Sequence, residues 1–171
     1  MMIQYSMDPA LKKVVFTFGT LYEPRITKAL LGELPEYFDA ELVGFSIYRG
    51  GPDQLPDKVK QDIIAHRGSL GGLTYHFAKP DDSENVITGR AWMITDLQEK
   101  ILDAWERYPA WYQKQDVEVQ DKQGHLKKAF VYTQDGDGDL VDLAVFERVP
   151  GGVQEYISEA KRVREDVLNH I

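Results

Sequence analysis

The amino-acid sequence predicts a protein of the α+β class. Segments in which apolar residues alternate, as in β-strands, outnumber segments in which apolar residues recur at helical spacing. The two kinds of segment do not alternate strictly along the chain, as they would around a parallel sheet. An amphipathic helical pattern occupies the end of the chain, from Val153 onward.

Length and composition limit the chemistry that this chain can perform. Its 171 residues fit one domain that can bury a sizeable core without metals or disulfides. The chain contains no cysteine, which excludes thiol nucleophiles, disulfides and thiolate metal sites. Any catalysis must therefore use oxygen and nitrogen groups.

The charge of the chain argues against polyanionic partners. The formal net charge is −8, whereas binding to nucleic acid or to an anionic membrane relies on clustered Lys and Arg. We therefore expect neither nucleic acid nor membrane as a partner. Residues 1–4 have neither the basic start nor the apolar run of a signal sequence, and no window approaches the length of a membrane span. The predicted location is the cytoplasm.

The first predicted strand, residues 14–18, is apolar on both faces and runs directly into Gly19. Glycine tolerates positive φ and close backbone approach, and the following Glu23-Pro24 pair predicts the start of a helix that stops at Gly32. Such a strand-to-helix turn leaves backbone N–H groups unpaired, which favours binding of an anion or a carbonyl oxygen. The alternative interpretation is that Gly19 only makes a turn.

Three further strands are predicted between residues 39 and 95. Residues 39–48 alternate and form one strand, residues 73–77 form a weaker strand, and residues 86–95 form a stronger strand that contains Gly89. A glycine inside a strand indicates a bulge or the close approach of another group. The glycine-rich stretch between the first two of these strands carries a short helix over residues 56–66.

A third helix is predicted after the strand over residues 86–95. Thr95 and Gln98 fit a capping box, which predicts a helix start. Leu97, Ile101 and Trp105 then recur at four-residue spacing, and Pro109 follows the end of the helix.

The remaining chain predicts a hairpin and a terminal helix. Residues 115–120 and 126–133 alternate on either side of a short polar turn, as the two strands of a hairpin do. We expect the terminal helix to pack against the sheet or against a second subunit through one stripe of apolar side chains, namely Tyr156, Ile157, Val163 and Val167.

The helix after Thr95 carries two carboxylates, Asp103 and Glu106, one turn apart near its C-terminal end. The negative end of the helix dipole, apolar neighbours and a second carboxylate all favour the protonated form, so we expect a raised pKa for Glu106. A carboxyl group tuned in this way suits acid–base chemistry near neutral pH. The alternative interpretation is a solvated helix surface.

Three motifs, taken in order, resemble those of the gamma-glutamylcyclotransferase-like family. They are Phe-Gly-Thr-Leu at residues 18–21, Val-Ile-Thr-Gly-Arg-Ala-Trp at residues 86–92, and Leu-Asp-Ala-Trp-Glu-Arg-Tyr-Pro-Ala-Trp-Tyr-Gln-Lys at residues 102–114. The third motif is most similar to the branch that includes gamma-glutamylamine cyclotransferase. Each motif alone is weak, and the order and separation of all three make the resemblance specific.

The resemblance implies a fold and a domain organisation. The expected fold is a small mixed β-barrel or curved sheet flanked by helices. The whole chain, residues 1–171, would form one domain of this family, with a core over about residues 12–148. An added C-terminal amphipathic helix would cover about residues 152–170.

The resemblance also implies a substrate site made of one loop, one acid and one aromatic side chain. The family's loop, whose backbone amides hold the glutamyl moiety, is matched here by Phe18, Gly19, Thr20 and Leu21. Glu106 matches the general acid/base, and Tyr112 matches the aromatic residue that closes the pocket.

The implied reaction converts a small γ-glutamyl amide or peptide to 5-oxoproline and a free amine. The substrate's own α-amine attacks its γ-carbonyl carbon, so the protein needs to hold a reactive conformer and to move a proton, without a Ser or Cys nucleophile. The resemblance implies no cofactor and no metal. A homodimer is compatible with it.

The chain departs from the family in three places. Phe18 stands where the family more often has Tyr, residues 49–83 do not follow the usual pattern, and residues 153–171 are longer than a minimal member needs. These departures keep open a second interpretation, a non-catalytic protein of the same fold that binds a ligand or a partner. They also leave the side of the pocket that holds the leaving group unassigned.

The aspartate-rich loop at residues 135–139 resembles the start of a calcium-binding loop. Phe146 stands at the twelfth position, where that motif requires Glu. We therefore interpret the segment as a polar loop and expect no metal site.

Overall fold

One curved mixed sheet of eight strands organises the computed structural model, which describes residues 13–81 and 83–171. The strands are β1 Lys13–Thr17, β2 Tyr37–Val43, β3 Phe45–Gly50, β4 Tyr75–Pro80, β5 Val86–Ile94, β6 Gln113–Asp121, β7 Leu126–Thr133 and β8 Asp139–Leu140. The α-helices are α1 Pro24–Leu31, α2 Asp57–Arg67, α3 Asp96–Trp105 and α4 Val153–Leu168. The predicted start without a signal sequence, at residues 1–4, and residue 12 at the predicted edge of the core lie outside the described residues.

The strand order confirms the α+β class and describes a curved sheet. Neighbouring strands follow the order β1-β5-β2-β6-β7-β4-β3-β8, and β1 also pairs in parallel with β7 at Val15 and Phe130. The strands β4, β3 and β8 extend the sheet beyond that contact, so the sheet as a whole is not a closed barrel. None of the helices in the described part of the chain has both the length and the apolar character that crossing a membrane requires.

The single strand predicted over residues 39–48 is wrong, because Gly44 divides it. Gly44 has a φ of +84°, a conformation that glycine adopts without strain. The two resulting strands take different neighbours: β2 pairs with β5 and β6, whereas β3 pairs with β4 and β8. The apolar alternation continues across the break, which is why the pattern alone did not reveal it. The strand predicted over residues 73–77 begins two residues later, at Tyr75.

Gly89 lies against backbone and side-chain atoms of β1, which confirms the predicted close approach. A Cβ atom at this position would meet the carbonyl oxygen of Thr17 at 2.2 Å and the ring of Phe16 at 2.7 Å. These atoms belong to β1, which pairs with β5 beside this position. A residue without a side chain is therefore required at this position.

The predicted capping residues begin and end the helices. Glu23 accepts a hydrogen bond from the backbone N–H of Arg25 at the start of α1, and Gly32, with φ +86°, ends that helix. The capping box of Thr95 and Gln98 is present in both directions at the start of α3.

The apolar face predicted for α3 is wrong at its first position. Leu97 is 39% exposed, and the buried residues of the helix are Gln98, Ile101 and Leu102. Ile101 is buried as predicted and Trp105 packs against the core, whereas Gln98 takes the buried place expected for Leu97. The helix ends at Trp105, and Glu106 is its C-terminal cap.

The terminal helix α4 packs mainly against other helices. Its main contacts are with α1 and α3, and Ala160 is fully buried. The predicted stripe is half-buried and joins the core cluster between sheet and helices. Burial of this apolar face against α1 and α3 contributes to the stability of the helix layer.

The alternation of β1 places its side chains in two separate cores. Val15 belongs to the cluster between the sheet and the helices, whereas Phe16 and Phe18 belong to the cluster inside the curved sheet. Both clusters exclude water from β1, which confirms a strand that is buried on both faces. Because β1 is held on both faces, it fixes the position of the loop at Gly19 that follows it.

We expect Gly89→Ala to destabilise the protein, because the new methyl group would overlap a backbone oxygen that cannot rotate away. Overpacking of this kind typically costs about 1–3 kcal/mol, which lowers the melting temperature of a chain of this size by about 2–12 °C. Gly72→Ala is the matched control, because no atom lies within 4 Å of the added Cβ there. Thermal melts in which both variants melt alike would contradict the close approach at Gly89.

Candidate active site

A cavity of about 300 Å³ lies between the end of β1, the C-terminal end of α3 and the start of β4. The structure brings all six sequence-predicted site residues to its wall, namely Phe18, Gly19, Thr20, Leu21, Glu106 and Tyr112. The loop and the acidic helix are far apart in sequence and adjacent in space. This arrangement has the geometry that a substrate held between loop and acid requires.

The loop after β1 is held by the carbonyl oxygen of Leu21. That oxygen accepts hydrogen bonds from the Thr27 hydroxyl at 2.6 Å and from Trp92 Nε1 at 3.1 Å, and a longer one from the Thr17 hydroxyl at 3.3 Å. Trp92 Nε1 also donates to Thr17 Oγ1 at 2.9 Å. Because Trp92 is 1% exposed, these bonds lie in a water-poor environment, where an unpaired partner would be costly.

Two tight backbone turns shape the same loop. The carbonyl oxygen of Gly19 accepts from the N–H of Tyr22 at 3.0 Å, and that of Thr20 accepts from the N–H of Glu23 at 3.1 Å. These bonds form a short 3₁₀ turn that leads directly into α1. The loop is therefore a rigid corner between a strand and a helix.

Two guanidinium groups complete the support of the loop from outside. Arg148 Nη1 donates to the carbonyl oxygens of Phe18 at 2.8 Å and Thr88 at 2.9 Å, and Arg90 Nη1 donates to that of Tyr22 at 2.8 Å. The Tyr22 ring lies between them, 4.0 Å from the guanidinium carbon of Arg148 and 4.1 Å from that of Arg90. Hydrogen bonds and cation–π contacts thus hold the loop against β5.

The carbonyl groups of residues 18–22 are all bonded, whereas three backbone amides of the loop are not. Among residues 13–81 and 83–171, the N–H groups of Gly19, Thr20 and Leu21 have no acceptor. Gly19 has a φ of −99°, so the left-handed conformation that its glycine suggested is not used. A Cβ at Gly19 would meet no atom within 4 Å. The glycine therefore leaves open space beside the three amides.

Glu106 lies at the C-terminal end of α3, where its N–H bonds to the carbonyl oxygen of Leu102 at 2.9 Å. Burial raises the pKa of its carboxyl group to about 8. Within the described part of the chain this carboxyl has no ion-pair or hydrogen-bond partner that would oppose the effect of burial. A carboxyl group with such a pKa can both donate and accept a proton near neutrality.

The expected contribution of Asp103 to the raised pKa is wrong. The Asp103 carboxylate accepts a hydrogen bond from the Tyr132 hydroxyl at 2.7 Å and pairs with Lys114 Nζ at 2.8 Å. Its charge is therefore compensated by Lys114, and burial is what raises the pKa of Glu106. Lys114 also pairs with Glu99 at 2.7 Å. Asp103 is thus part of a polar network beside the cavity rather than a free surface carboxylate.

Tyr112 is anchored at the cavity wall by both its hydroxyl and its ring. Its hydroxyl donates to the carbonyl oxygen of His76 at 2.8 Å, and its ring packs edge-on against Trp111 with centroids 5.0 Å apart. Burial, and then the neighbouring Glu106 carboxyl, raise the pKa of Tyr112 well above its usual range. Tyr112 therefore remains neutral and fixed, and it shapes the site without exchanging protons.

Sequence reasoning missed one wall of the cavity. Its residues come from the stretch that departs from the family pattern, from the segment before α4 and from α4 itself, namely Arg67, Leu73, Thr74, Tyr75, His76, Phe146, Arg148, Pro150 and Tyr156. The departures over residues 49–83 and 153–171 were the available signals, because Arg67, Tyr75 and Tyr156 lie within them. In the described ranges no group of three or more His, Asp or Glu is arranged to hold a metal ion.

Comparisons with known proteins identify the family and the fold of the chain. A sequence-family profile described as "Gamma-glutamyl cyclotransferase, AIG2-like" matches residues 15–152. Among curated protein sequences, none matches the chain significantly.

Solved structures share the fold at low sequence identity. A protein from Arabidopsis thaliana has 19% identity and a TM-score of 0.53, over 92% of this chain and 86% of its own. A structure named gamma-glutamyl cyclotransferase has 12% identity and a TM-score of 0.58, over 92% and 83%. An uncharacterised protein from Homo sapiens has 13% identity and a TM-score of 0.55, over 91% and 98%. At these identities the likeness shows a shared fold.

The raised pKa of Glu106 makes the stability of the protein depend on pH. Because the folded-state pKa, about 8, exceeds the ordinary value of 4.5, the folded chain binds the extra proton between these values. We expect the stabilisation of the folded state by this proton to be complete below about pH 4.5 and to be lost as the pH rises through 8. Relative to Glu106→Gln, which cannot ionise, the wild-type melting temperature should fall over that window.

Thermal melts of both proteins between pH 5 and pH 9 measure this difference. Glu118→Gln, a substitution at an exposed position of β6, serves as the control and should follow the wild-type curve. Parallel curves for the wild type and Glu106→Gln would mean that Glu106 is not desolvated.

Proposed function

Because the chain belongs to the gamma-glutamyl cyclotransferase, AIG2-like family, we propose that it converts a γ-glutamyl amide or peptide to 5-oxoproline and a free amine. One observation carries the proposal: a carboxyl group with a pKa of about 8 lies in the same cavity as three backbone amides without acceptors. A chain without cysteine is compatible with the reducing cytoplasm, where we propose that the reaction takes place.

In the proposed reaction Glu106 moves protons within one molecule of substrate. As a carboxylate it takes a proton from the α-ammonium group, which frees the lone pair of the amine. The amine nitrogen then attacks the γ-carbonyl carbon, a bond forms between them and the carbonyl oxygen becomes an oxyanion. Glu106 returns its proton to the departing nitrogen as the amide C–N bond breaks.

The proton balance requires Glu106 to act twice. The α-ammonium group begins with three protons and the nitrogen of the 5-oxoproline ring retains one. The other two reach the leaving nitrogen, which departs as an ammonium group. A carboxyl group whose pKa lies near neutrality suits this exchange, because neither protonation state is strongly favoured.

The loop at Gly19 would stabilise the negative charge of the substrate. The N–H groups of Gly19, Thr20 and Leu21 are the donors of the loop that remain unbonded in the described part of the chain. Rigid donors that need no reorganisation stabilise an oxyanion or a carboxylate strongly in a water-poor site. The open space beside Gly19 allows the substrate to approach the backbone closely.

We expect Glu106→Gln to lower kcat by about 10²- to 10⁴-fold, the typical contribution of general acid–base catalysis, with little change in substrate affinity. The variant keeps the shape of the side chain and removes its exchangeable proton. Release of 5-oxoproline from γ-glutamyl amides measures the rate, and thermal melts control for folding. A Glu106→Gln protein that melts normally and works within a few-fold of the wild-type rate would contradict the proposed role.

Asp103→Asn is the matched control for that experiment, and its effect should be milder. Asn retains an oxygen that can accept the hydrogen bond from Tyr132, and it loses only the ion pair with Lys114. A loss as large as that of Glu106→Gln would instead assign the proton transfer to Asp103.

The activity should rise with pH through the pKa of Glu106. In the free protein the carboxyl group is mostly protonated at neutral pH, because its pKa is about 8, and the proposed first step needs the carboxylate. We therefore expect kcat/KM to increase about tenfold per pH unit below this pKa and to level off above it. A profile that is flat between pH 6 and pH 8 would contradict a base with this pKa.

A further inference from the structure

We propose that the wall formed by Arg67, Tyr75 and Trp111 holds the leaving group, and that this group is an aromatic amino acid whose carboxylate binds Arg67. The inference rests on the proposed function and names the amine that the reaction would release. The loop amides and Glu106 are assigned to the glutamyl part of the substrate. The remaining wall of the same cavity is therefore available to the leaving group.

The shape of this wall favours a flat apolar group. Tyr75 and Trp111 line the cavity with their rings edge to face, 4.7 Å between centroids, and Trp111 packs in turn against Tyr112. Leu73 and Phe146 line the same cavity. Aromatic side chains in such offset arrangements bind a further ring favourably.

Two buried polar groups in the wall have no partner. Within residues 13–81 and 83–171, neither the hydroxyl of Tyr75 nor Nε1 of Trp111 makes a hydrogen bond. The indole N–H of Trp111 can only donate. Leaving such groups unpaired in a buried site is costly. Neither atom is exposed at the cavity surface, so the leaving group would meet the rings of these residues rather than their polar atoms.

The charge of the cavity favours an anionic leaving group. Among the described residues that line it, the charged side chains are Arg67, Arg148 and Glu106, and Glu106 is mostly neutral at pH 7. Neither guanidinium has a carboxylate within 4 Å in the described ranges. The wall is therefore positive in a chain whose net charge is −8. A cationic leaving group, such as a polyamine, would be repelled.

Arg67 has the freedom to bind a ligand, whereas Arg148 does not. Arg148 already donates three hydrogen bonds to Phe18 and Thr88, as part of the support of the loop. Arg67 is the last residue of α2 and is exposed, and it makes no hydrogen bond within the described residues. The nearby carboxylate of Glu159 is paired with Arg162. The planar guanidinium of Arg67 therefore remains available to a carboxylate, which it can bind through two parallel hydrogen bonds.

Four probes separate the two parts of this proposal, the aromatic contact and the binding of a carboxylate by Arg67. γ-Glutamylphenylalanine carries both ring and carboxylate, γ-glutamylphenethylamide carries the ring alone, γ-glutamylalanine carries the carboxylate without the ring, and γ-glutamylputrescine carries a cation. Dissociation constants are measured by calorimetry with the Glu106→Gln protein, so that binding is observed without turnover. We expect the phenylalanine compound to bind about three- to tenfold more tightly than the phenethylamide, since the ion pair is partly exposed. γ-Glutamylputrescine should bind most weakly of the four.

Arg67→Gln in the same background tests the residue itself. It should abolish the preference for the phenylalanine compound over the phenethylamide and leave the affinity for the phenethylamide unchanged. Lys58→Gln, which removes one exposed positive charge from the first turn of the same helix, should preserve the preference. If Arg67→Gln retained the preference, or if no probe bound, the proposed subsite would be wrong. Equal affinity for the phenylalanine and alanine compounds would exclude the aromatic contact.

Turnover by the wild-type protein separates this inference from the proposed function. Release of 5-oxoproline from all four probes at similar rates would support the reaction and overturn the subsite. If no probe released 5-oxoproline while binding still depended on Arg67 and on the carboxylate, the subsite would stand and the proposed reaction would be wrong.

Discussion

The carbonyl oxygen of Leu21 is the point on which the candidate site depends. Its hydrogen bonds to Thr27, Trp92 and Thr17 join α1, β5 and β1 at one buried atom. A buried carbonyl group that lost these partners would be costly, so the loop has one stable arrangement. Because the carbonyl groups of the loop point toward the protein and are bonded there, its amides remain as the groups that a ligand can use.

The pKa of Glu106 depends on whether the charges around it are paired. Asp103 lies one helical turn away and would repel the Glu106 carboxylate if it were free. Lys114 compensates Asp103, and Tyr132 donates to it, so the burial of Glu106 acts alone on its pKa. A site in which a neighbouring carboxylate also contributed would respond to salt, whereas desolvation is insensitive to screening. The protein thus tunes its acid by excluding water, and it keeps the nearby charges paired.

Local signals in the sequence predicted those parts of the fold that are determined locally. The capping box at Thr95 and the hairpin of β6 and β7 depend on neighbouring residues, and the sequence pattern was sufficient for both. The break at Gly44 was missed because the alternation continues across it, and only pairing with different neighbours divides the strand. The contacts of Asp103 and the position of Arg67 depend on residues that are distant in sequence. No spacing rule could have predicted that α2 ends at the cavity.

The raised pKa of Glu106 also connects substrate binding to catalysis in the proposed reaction. At neutral pH the free protein holds a protonated carboxyl group, which tolerates a buried position better than a carboxylate does. A substrate that brings an α-ammonium group beside Glu106 would favour the ionised carboxyl and lower its pKa. The carboxylate of Glu106 would then form mainly in the complex, where the reaction needs a base. Burial disfavours the carboxylate in the empty site, and the cation of the substrate favours it in the complex. Both effects arise because the cavity has low polarity.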